Sequence, residues 1–332
     1  MRDKIGWGIM GTGKIAKAFA TDLAILPDAQ LVAVGSRTAE TSSQFGRQFG
    51  VPNCHTGYEE LVTDPDVDVV YVATPHAFHK ENMLLGLEAG KAVLCEKPFT
   101  INAEEAETVI RVAREKKLFL MEAMWTRYIP LVVKLRELLA DGVIGDLQML
   151  EVGMAFVAPR DDAYYFFKPH LGGGILLDGG AYAVSIASML FGGPPARIAS
   201  MAHLGETGVD EQSAAIFGYG QGQLAVLYMS FRTGIPPAAR IMGSKGRIAI
   251  HPPIFKPTQL TISRNDVPDE VIEIPLEGNG LNYEAAEVMR CLRTGRLESE
   301  TMLLDETLEI MRTLDQIRAQ WGLKYPMEVP SQ

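Results

Sequence analysis

This 332-residue sequence is poor in cysteine, in positive charge and in long unbroken apolar runs, and each shortage excludes something. Its three cysteines, Cys54, Cys95 and Cys291, are odd in number and widely spaced, which rules out a disulfide framework or a zinc motif. They read as reduced thiols in a cytoplasmic protein. Lysine and arginine number 31 against 41 aspartates and glutamates, and the net charge of −10 opposes any general grip on nucleic acid or an anionic membrane. No uninterrupted stretch of about 18 apolar residues stands out, so no membrane-spanning helix is expected. The opening "MRDKIGWGIMGTG" runs at once into a strand and a glycine turn, leaving no room for a signal peptide. Repeats and low-complexity segments are also lacking.

What is there is an ordinary globular balance, 47% hydrophobic and 22% charged, over a length that suits two domains. Residues 1–123 alternate near-continuous apolar runs ("IGWGIM", "QLVAVGS", "VDVVYVAT", "KAVLCE", "LFLMEA") with segments of helical spacing. The runs suit parallel strands covered on both faces. Among the helical segments, "HKENMLLGLEAG" places Met83, Leu84 and Leu87 on one side, and "NAEEAETVIRVAREKK" opens with Asn102 as an N-cap. Five strands with interposed helices predict a doubly wound parallel sheet. After "WTRYIP" the pattern changes to one amphipathic helix, a strand, a glycine-rich helix over 172–191, several strands joined by short turns, and two closing helices. That order predicts an α/β domain with a mainly antiparallel sheet. The expected division is 1–123 for a nucleotide-binding domain and 124–332 for a substrate-binding and oligomerisation domain.

In "WGIMGTGKIAKAF" a strand leads into Gly11-Thr12-Gly13, and Ala16 sits inside the next helix. The first glycine permits the turn, the second lets a pyrophosphate approach the backbone, and the small third residue allows close packing. Gly11, Thr12, Gly13, Lys14 and Ile15 are therefore candidates for cofactor binding at a helix N-terminus. The second strand ends in Ser36 and Arg37 where an NAD-selective site would carry a carboxylate. A hydroxyl and a guanidinium suit the 2′-phosphate of NADP, with NAD as the alternative.

Ligands of such a sheet bind outside the carboxyl ends of its strands. After "VVYVAT" come Thr74, Pro75, His76 and His79, candidates for cofactor contact or for a solvated loop; no third metal ligand accompanies them. "CEKP" delivers Glu96 and Lys97 to the same edge, with Pro98 fixing the turn, conceivably through a cis bond. An ammonium there would stabilise an alkoxide-like transition state and acidify a neighbouring group. In "GGGILLDGGAYAV", Asp178 and Tyr182 lie four residues apart, on one face if the segment is helical. Tyr182 reads either as a proton donor served by Lys97 or as a core tyrosine with a capping aspartate.

Taken together, "GIMGTGKIA", "VLCEKPFTINAEEAE", "GGGILLDGGAYAV" and "TGVDEQSAAIFGYGQGQLAVLYMSF" resemble the glucose–fructose oxidoreductase / inositol dehydrogenase superfamily over nearly the whole chain. "KAVLCEKP", "LFLMEAMWTRYIP" and the D-x-G-x-Y motif are similar to its dimeric dihydrodiol dehydrogenase branch. The resemblance implies a Rossmann domain, then an α/β domain with a broad open sheet that commonly forms a homodimer or higher homo-oligomer. It implies a catalytic Lys97 and, with tyrosine in place of the inositol dehydrogenases' histidine, Tyr182 as the acid/base. The expected reaction is reversible hydride transfer between NADP(H) and a sugar-like or vicinal-diol substrate, with Asp178 holding a second hydroxyl. Trp125, Arg127, Phe156, Arg160 and Tyr164 flank the domain crossover and are candidates for the substrate pocket. Two rival readings are a reductase of an anhydro-sugar or other carbonyl acceptor and a catalytically silent cofactor-sensing regulator.

Overall fold

The computed structural model describes residues 4–160 and 164–329. Strand and helix alternate first as β1 (Ile5–Met10), α1 (Lys14–Leu23), β2 (Ala29–Ser36), α2 (Ala39–Phe49), β3 (Asn53–Thr56) and α3 (Glu59–Thr63). There follow β4 (Val69–Val72), α4 (His79–Glu88), β5 (Ala92–Glu96), α5 (Ala103–Lys116) and β6 (Leu120–Ala123). All neighbouring strands are parallel, in the order β3-β2-β1-β4-β5-β6. That is the Rossmann order, with its switch point between β1 and β4. Strands β4, β5 and β6 are buried throughout, which is why they read as continuous apolar runs. The sixth strand, β3, escapes that pattern because "NCHT" is short, polar and half-exposed, and it pairs only with β2 at the edge.

The chain then forms α6 (Pro130–Ala140), β7 (Leu147–Ala155) and one turn of π-helix (Leu176–Gly180) that runs into α7 (Ala181–Phe191). Next come β8 (Arg197–Leu204), β9 (Asp210–Gly218), β10 (Leu224–Ser230), β11 (Ile235–Gly243), β12 (Gly246–Ile250), β13 (Gln259–Arg264) and β14 (Val267–Glu273). The helices α8 (Asn282–Arg293) and α9 (Leu304–Ala319) close the order. The eight strands make one sheet, β14-β13-β12-β11-β7-β10-β9-β8, antiparallel at every step except β7–β10. Burial alternates along β9 and β10, so the sheet has a covered and an open face. Helix α7 packs on β7 and β10, while Met201, Ile216 and Leu224 remain exposed.

One expectation is corrected here. Pro169–Phe191 is a helical stretch of 23 residues whose best window reaches a mean hydropathy of 1.5, long and apolar enough to cross a membrane by length and composition alone. Glycine and alanine dilute its large apolar residues, so no dense run meets the eye. That window is 78% buried within the protein, its surface already spent on packing.

Two compact units result. The first contains the chain up to Thr100, Glu104–Trp125 and Glu277–Thr307; the second contains Ile101–Ala103, Thr126–Leu276 and the chain from Leu308. A single cut at 123/124 therefore does not describe the packing, because α8 belongs with the first sheet. The physical reason is Asp22, fully buried on α1, which accepts hydrogen bonds from the backbone N–H groups of Asn279 (2.9 Å) and Leu281 (2.8 Å). A bond between residues 257 apart leaves no local trace in the sequence.

Candidate active site

In the first unit the turn after β1 has the shape a phosphate needs. Gly11 has φ +107°, and a Cβ there would lie 2.7 Å from the Ala73 carbonyl oxygen, so glycine is required. Gly13 caps α1 in extended conformation without a side-chain bond, and a Cβ on it would meet nothing within 4 Å. No acidic residue occupies the first turn of α1, and Ala16 is fully buried against the sheet. An uncapped helix N-terminus with open space before it fits a dinucleotide pyrophosphate. Lys14 is exposed and Thr12 and Ile15 are half-buried around it. At the end of β2 the Ser36 hydroxyl shares a hydrogen bond with Thr41 at 2.6 Å, and Arg37 is exposed.

The ends of β4 and β5 are tied to each other. The ring nitrogens of His79 lie 2.8 Å from the Pro98 carbonyl oxygen and 2.9 Å from that of Thr74. Thr74 also accepts from the Asn82 amide at 3.0 Å. His79 is fully buried, and burial, with a further push from Lys97, holds its pKa below the ordinary imidazole value against the pull of its backbone bonds. His79 thus fastens the turn that carries Lys97, while the buried His76 stands edge-on to it with ring centroids 5.7 Å apart. Pro75 precedes them in extended conformation.

The Lys97–Pro98 peptide bond is cis. Glu96, buried, accepts from the Tyr71 hydroxyl and from the Lys97 backbone N–H at 3.2 Å. Glu122, buried at the end of β6, accepts from the Phe99 N–H at 3.2 Å and the Thr307 hydroxyl at 3.1 Å. Two buried carboxylates therefore grip the amides on either side of Pro98. From Ala92 to Ile101 every residue is buried except Lys97.

In the second unit the glycine run 172–174 serves close packing. A Cβ on Gly173 would sit 2.6 Å from the carbonyl oxygens of Tyr165 and Phe166. The π-helical turn beyond it bears Asp178, and Tyr182 follows in the first turn of α7. π-Helical turns concentrate at functional sites. From Gly172 to Ser188 every residue is buried except Asp178. Its Oδ1 accepts a hydrogen bond from the Tyr165 hydroxyl at 2.7 Å. Tyr182 is 8% exposed, its ring centroid 6.1 Å from that of Phe255.

Phe156 and Tyr164, with Phe166, Phe167 and Phe231, build an aromatic cluster with centroid spacings of 5.1–5.8 Å. Arg160 reaches Glu211 at 2.8 Å and stands over the Phe167 ring. Arg127 is buried and donates to the Ser185 hydroxyl (3.0 Å) and carbonyl oxygen (2.8 Å), so it anchors α7 one turn beyond Tyr182. Trp125 is also buried, at the end of the first unit's second segment. Sequence reasoning misses Tyr165, Glu122 and Arg127's anchoring role. Only Glu122 has a signal, a lone carboxylate inside the apolar run "LFLMEAMW". Among the described residues no group of three or more His, Cys, Asp or Glu side chains is placed to hold a metal ion.

Residues 5–124 match the family described as "Oxidoreductase family, NAD-binding Rossmann fold", and residues 132–249 match the "GFO/IDH/MocA C-terminal domain". The chain is 36% identical to trans-1,2-dihydrobenzene-1,2-diol dehydrogenase of Xenopus tropicalis, over 96% of this chain and 99% of the relative. It is 35% identical to D-xylose 1-dehydrogenase (NADP(+)) of Hypocrea jecorina, over 96% and 93%. Among solved structures it resembles KijD10, a 3-ketoreductase from Actinomadura kijaniata in complex with NADP and TDP-benzene. That likeness has a TM-score of 0.85 at 26% identity, over 95% of this chain and 97% of the other.

Proposed function

From the chain's membership of the GFO/IDH/MocA family of oxidoreductases, with its NAD-binding Rossmann domain, we propose that it moves a hydride reversibly between NADP(H) and a carbinol carbon of a sugar-like or vicinal-diol substrate. The observation that carries the reading is the isolation of Lys97 as the one unburied residue of a turn fastened by His79, Glu96 and Glu122. Such fastening is what a preorganised electrostatic group requires. When bound, NADP supplies the hydride acceptor. Tyr182 takes the hydroxyl proton as the carbonyl forms and returns it in the reverse direction. The Lys97 ammonium stabilises the developing oxyanion and favours the tyrosinate. Asp178, aligned by Tyr165, accepts a hydrogen bond from a second substrate hydroxyl, and the aromatic cluster with Phe156 and Tyr164 offers the sugar or diol an apolar wall. Arg160 borders that wall, Arg127 holds α7 in place, and Trp125 stays a candidate for contact with substrate.

Gly11 to Ile15 hold the pyrophosphate, Ser36 and Arg37 receive the 2′-phosphate, and Thr74 to His76 border the nicotinamide half. The preference is thus for NADP over NAD. Met201, Ile216 and Leu224 on the open sheet face suit a homodimer, and three free cysteines suit the cytoplasm.

The test is turnover of the purified chain with NADP⁺ against D-xylose, other pentoses and hexoses, and trans-dihydrodiols, with the matching carbonyl compounds and NADPH in reverse. Reduction or oxidation of the cofactor by a member of this panel supports the reading. NADPH binding without turnover on any member would sink it in favour of a sensor. A monomer by light scattering would remove the dimer.

A further inference from the structure

Asp210 begins β9, is fully buried and takes no part in the chemistry above. Its Oδ2 accepts the backbone N–H of Leu176 at 2.8 Å. Leu176 opens the π-helical turn that bears Asp178 and leads to Tyr182, and that turn has no side-chain cap of its own. A free amide in a first helical turn needs an acceptor, and Asp210 supplies it from 34 residues away. Its Oδ1 accepts no hydrogen bond and faces Gly174, where φ is +112° and a Cβ would collide with it. A glycine at 174 therefore does two things: it takes a left-handed conformation and it lets a carboxylate in.

The titratable groups around Asp210 are few. Tyr325, fully buried, donates to the Gly173 carbonyl oxygen at 2.8 Å, and a Cβ on Gly174 would lie 3.4 Å from its hydroxyl. Behind the Tyr325 ring stand Arg318, 5.4 Å from its centroid, and Glu328, which pairs with Arg318. On the same strand Glu211 is occupied by Arg160.

We propose that Asp210 is a positioning residue for the proposed hydride transfer: ionised, it holds the start of the helix that carries Asp178 and Tyr182, and protonated it loosens that hold. A carboxylate is a stronger acceptor than a carboxylic acid, and Oδ1 has no hydrogen-bond partner to share a proton with. Burial raises the Asp210 pKa from 3.8 to about 7, against the pull of its backbone bonds, so the two forms exchange near neutrality. The inference rests on the redox reading for its link to rate, but not for its effect on the helix.

The experiment compares the full-length protein with Asp210→Asn and Asp210→Ala. Asparagine keeps an acceptor for Leu176 and cannot ionise; alanine removes the acceptor. Wild-type kcat is expected to fall about tenfold between about pH 8 and pH 6, and that of Asp210→Asn less than about threefold. Asp210→Ala should lose about tenfold or more in kcat at about pH 8, with NADPH affinity held within about twofold. Hydrogen exchange at the amides of 175–182 should quicken in Asp210→Ala and less so in Asp210→Asn, whose neutral amide oxygen is a weaker acceptor than the carboxylate. The gap in Tm between Asp210→Asn and wild type should open from about pH 4 to about pH 7 and then stay level.

An unchanged pH profile in Asp210→Asn overturns the proposal, as do unchanged exchange in Asp210→Ala and a Tm gap flat across pH. If wild type turns over no substrate while exchange and Tm behave as stated, the redox reading fails and the hold on the helix stands. Should Asp210→Ala not fold, Asp210→Asn still decides through its pH profile and its Tm.

Discussion

The Tyr165 hydroxyl donates to Asp178 Oδ1 at 2.7 Å, joining the aromatic segment to the one unburied residue between Gly172 and Ser188. A hydrogen bond to a charged acceptor is worth about 1.5–3 kcal/mol. Tyr165→Phe keeps the ring and removes the bond, so Asp178 loses its alignment. KM for the polyol should rise about tenfold, with NADPH affinity unchanged. Steady-state kinetics beside a fluorescence titration of NADPH measure both; an unaltered KM would detach Tyr165 from the substrate.

Lys97→Met removes the ammonium from a turn whose backbone is held by Glu96 and Glu122. Because those bonds involve main-chain amides, the fold should survive. We expect turnover to fall by about a thousandfold or more while NADPH binds within a few-fold of wild type. Turnover near the wild-type rate removes Lys97 from the chemistry.

Arg37→Ala tests the cofactor preference. Loss of a guanidinium–phosphate contact should raise KM for NADP⁺ about ten- to a hundredfold and leave that for NAD⁺ nearly unchanged. An equal effect on both cofactors would place Arg37 elsewhere.

Glu284 gives a pH-dependent stability. It is fully buried, neither carboxyl oxygen has a hydrogen-bond partner, and its pKa is raised well above 4.5 by burial and by Glu96, Asp22 and Glu122. The folded protein keeps the proton that the unfolded chain releases, so this group's contribution is whole below about pH 4.5. It is lost progressively as pH rises toward the folded value. Glu284→Gln mimics the protonated acid. It should melt with wild type at about pH 4.5 and on the order of 5 °C higher at about pH 8. A difference that does not change with pH would show that Glu284 is ionised in the fold.

The parts of the fold legible in sequence are those whose signal is local. β1 appears in the sequence as the apolar run "IGWGIM" with the bounds it has in the structure. Gly11 and Gly13 announce their turn because no other residue suits it. The Glu96–Lys97 strand end follows from position on the sheet, whereas the cis bond before Pro98 is only one form the sequence allows and the structure shows. What stays hidden depends on partners distant in the chain. Asp22 looks like any helical aspartate until Asn279 and Leu281 meet it. Arg127 looks like a pocket cation until Ser185 takes it. Tyr165 and Asp210 gain their roles only through Asp178 and Leu176, and nothing in their own neighbourhoods forecasts that.

The return of Glu277–Thr307 to the first unit has a consequence for biosynthesis. A Rossmann unit made of contiguous chain can close as soon as its last strand leaves the ribosome. Here Asp22 must wait until Asn279 and Leu281 have been made, and the last first-unit segment ends roughly 180 residues beyond Trp125. At about 5–20 residues per second, the nucleotide-binding half stays unfinished for roughly ten to forty seconds. For the same reason, a gene fusion that transplants this half must carry α8 with it.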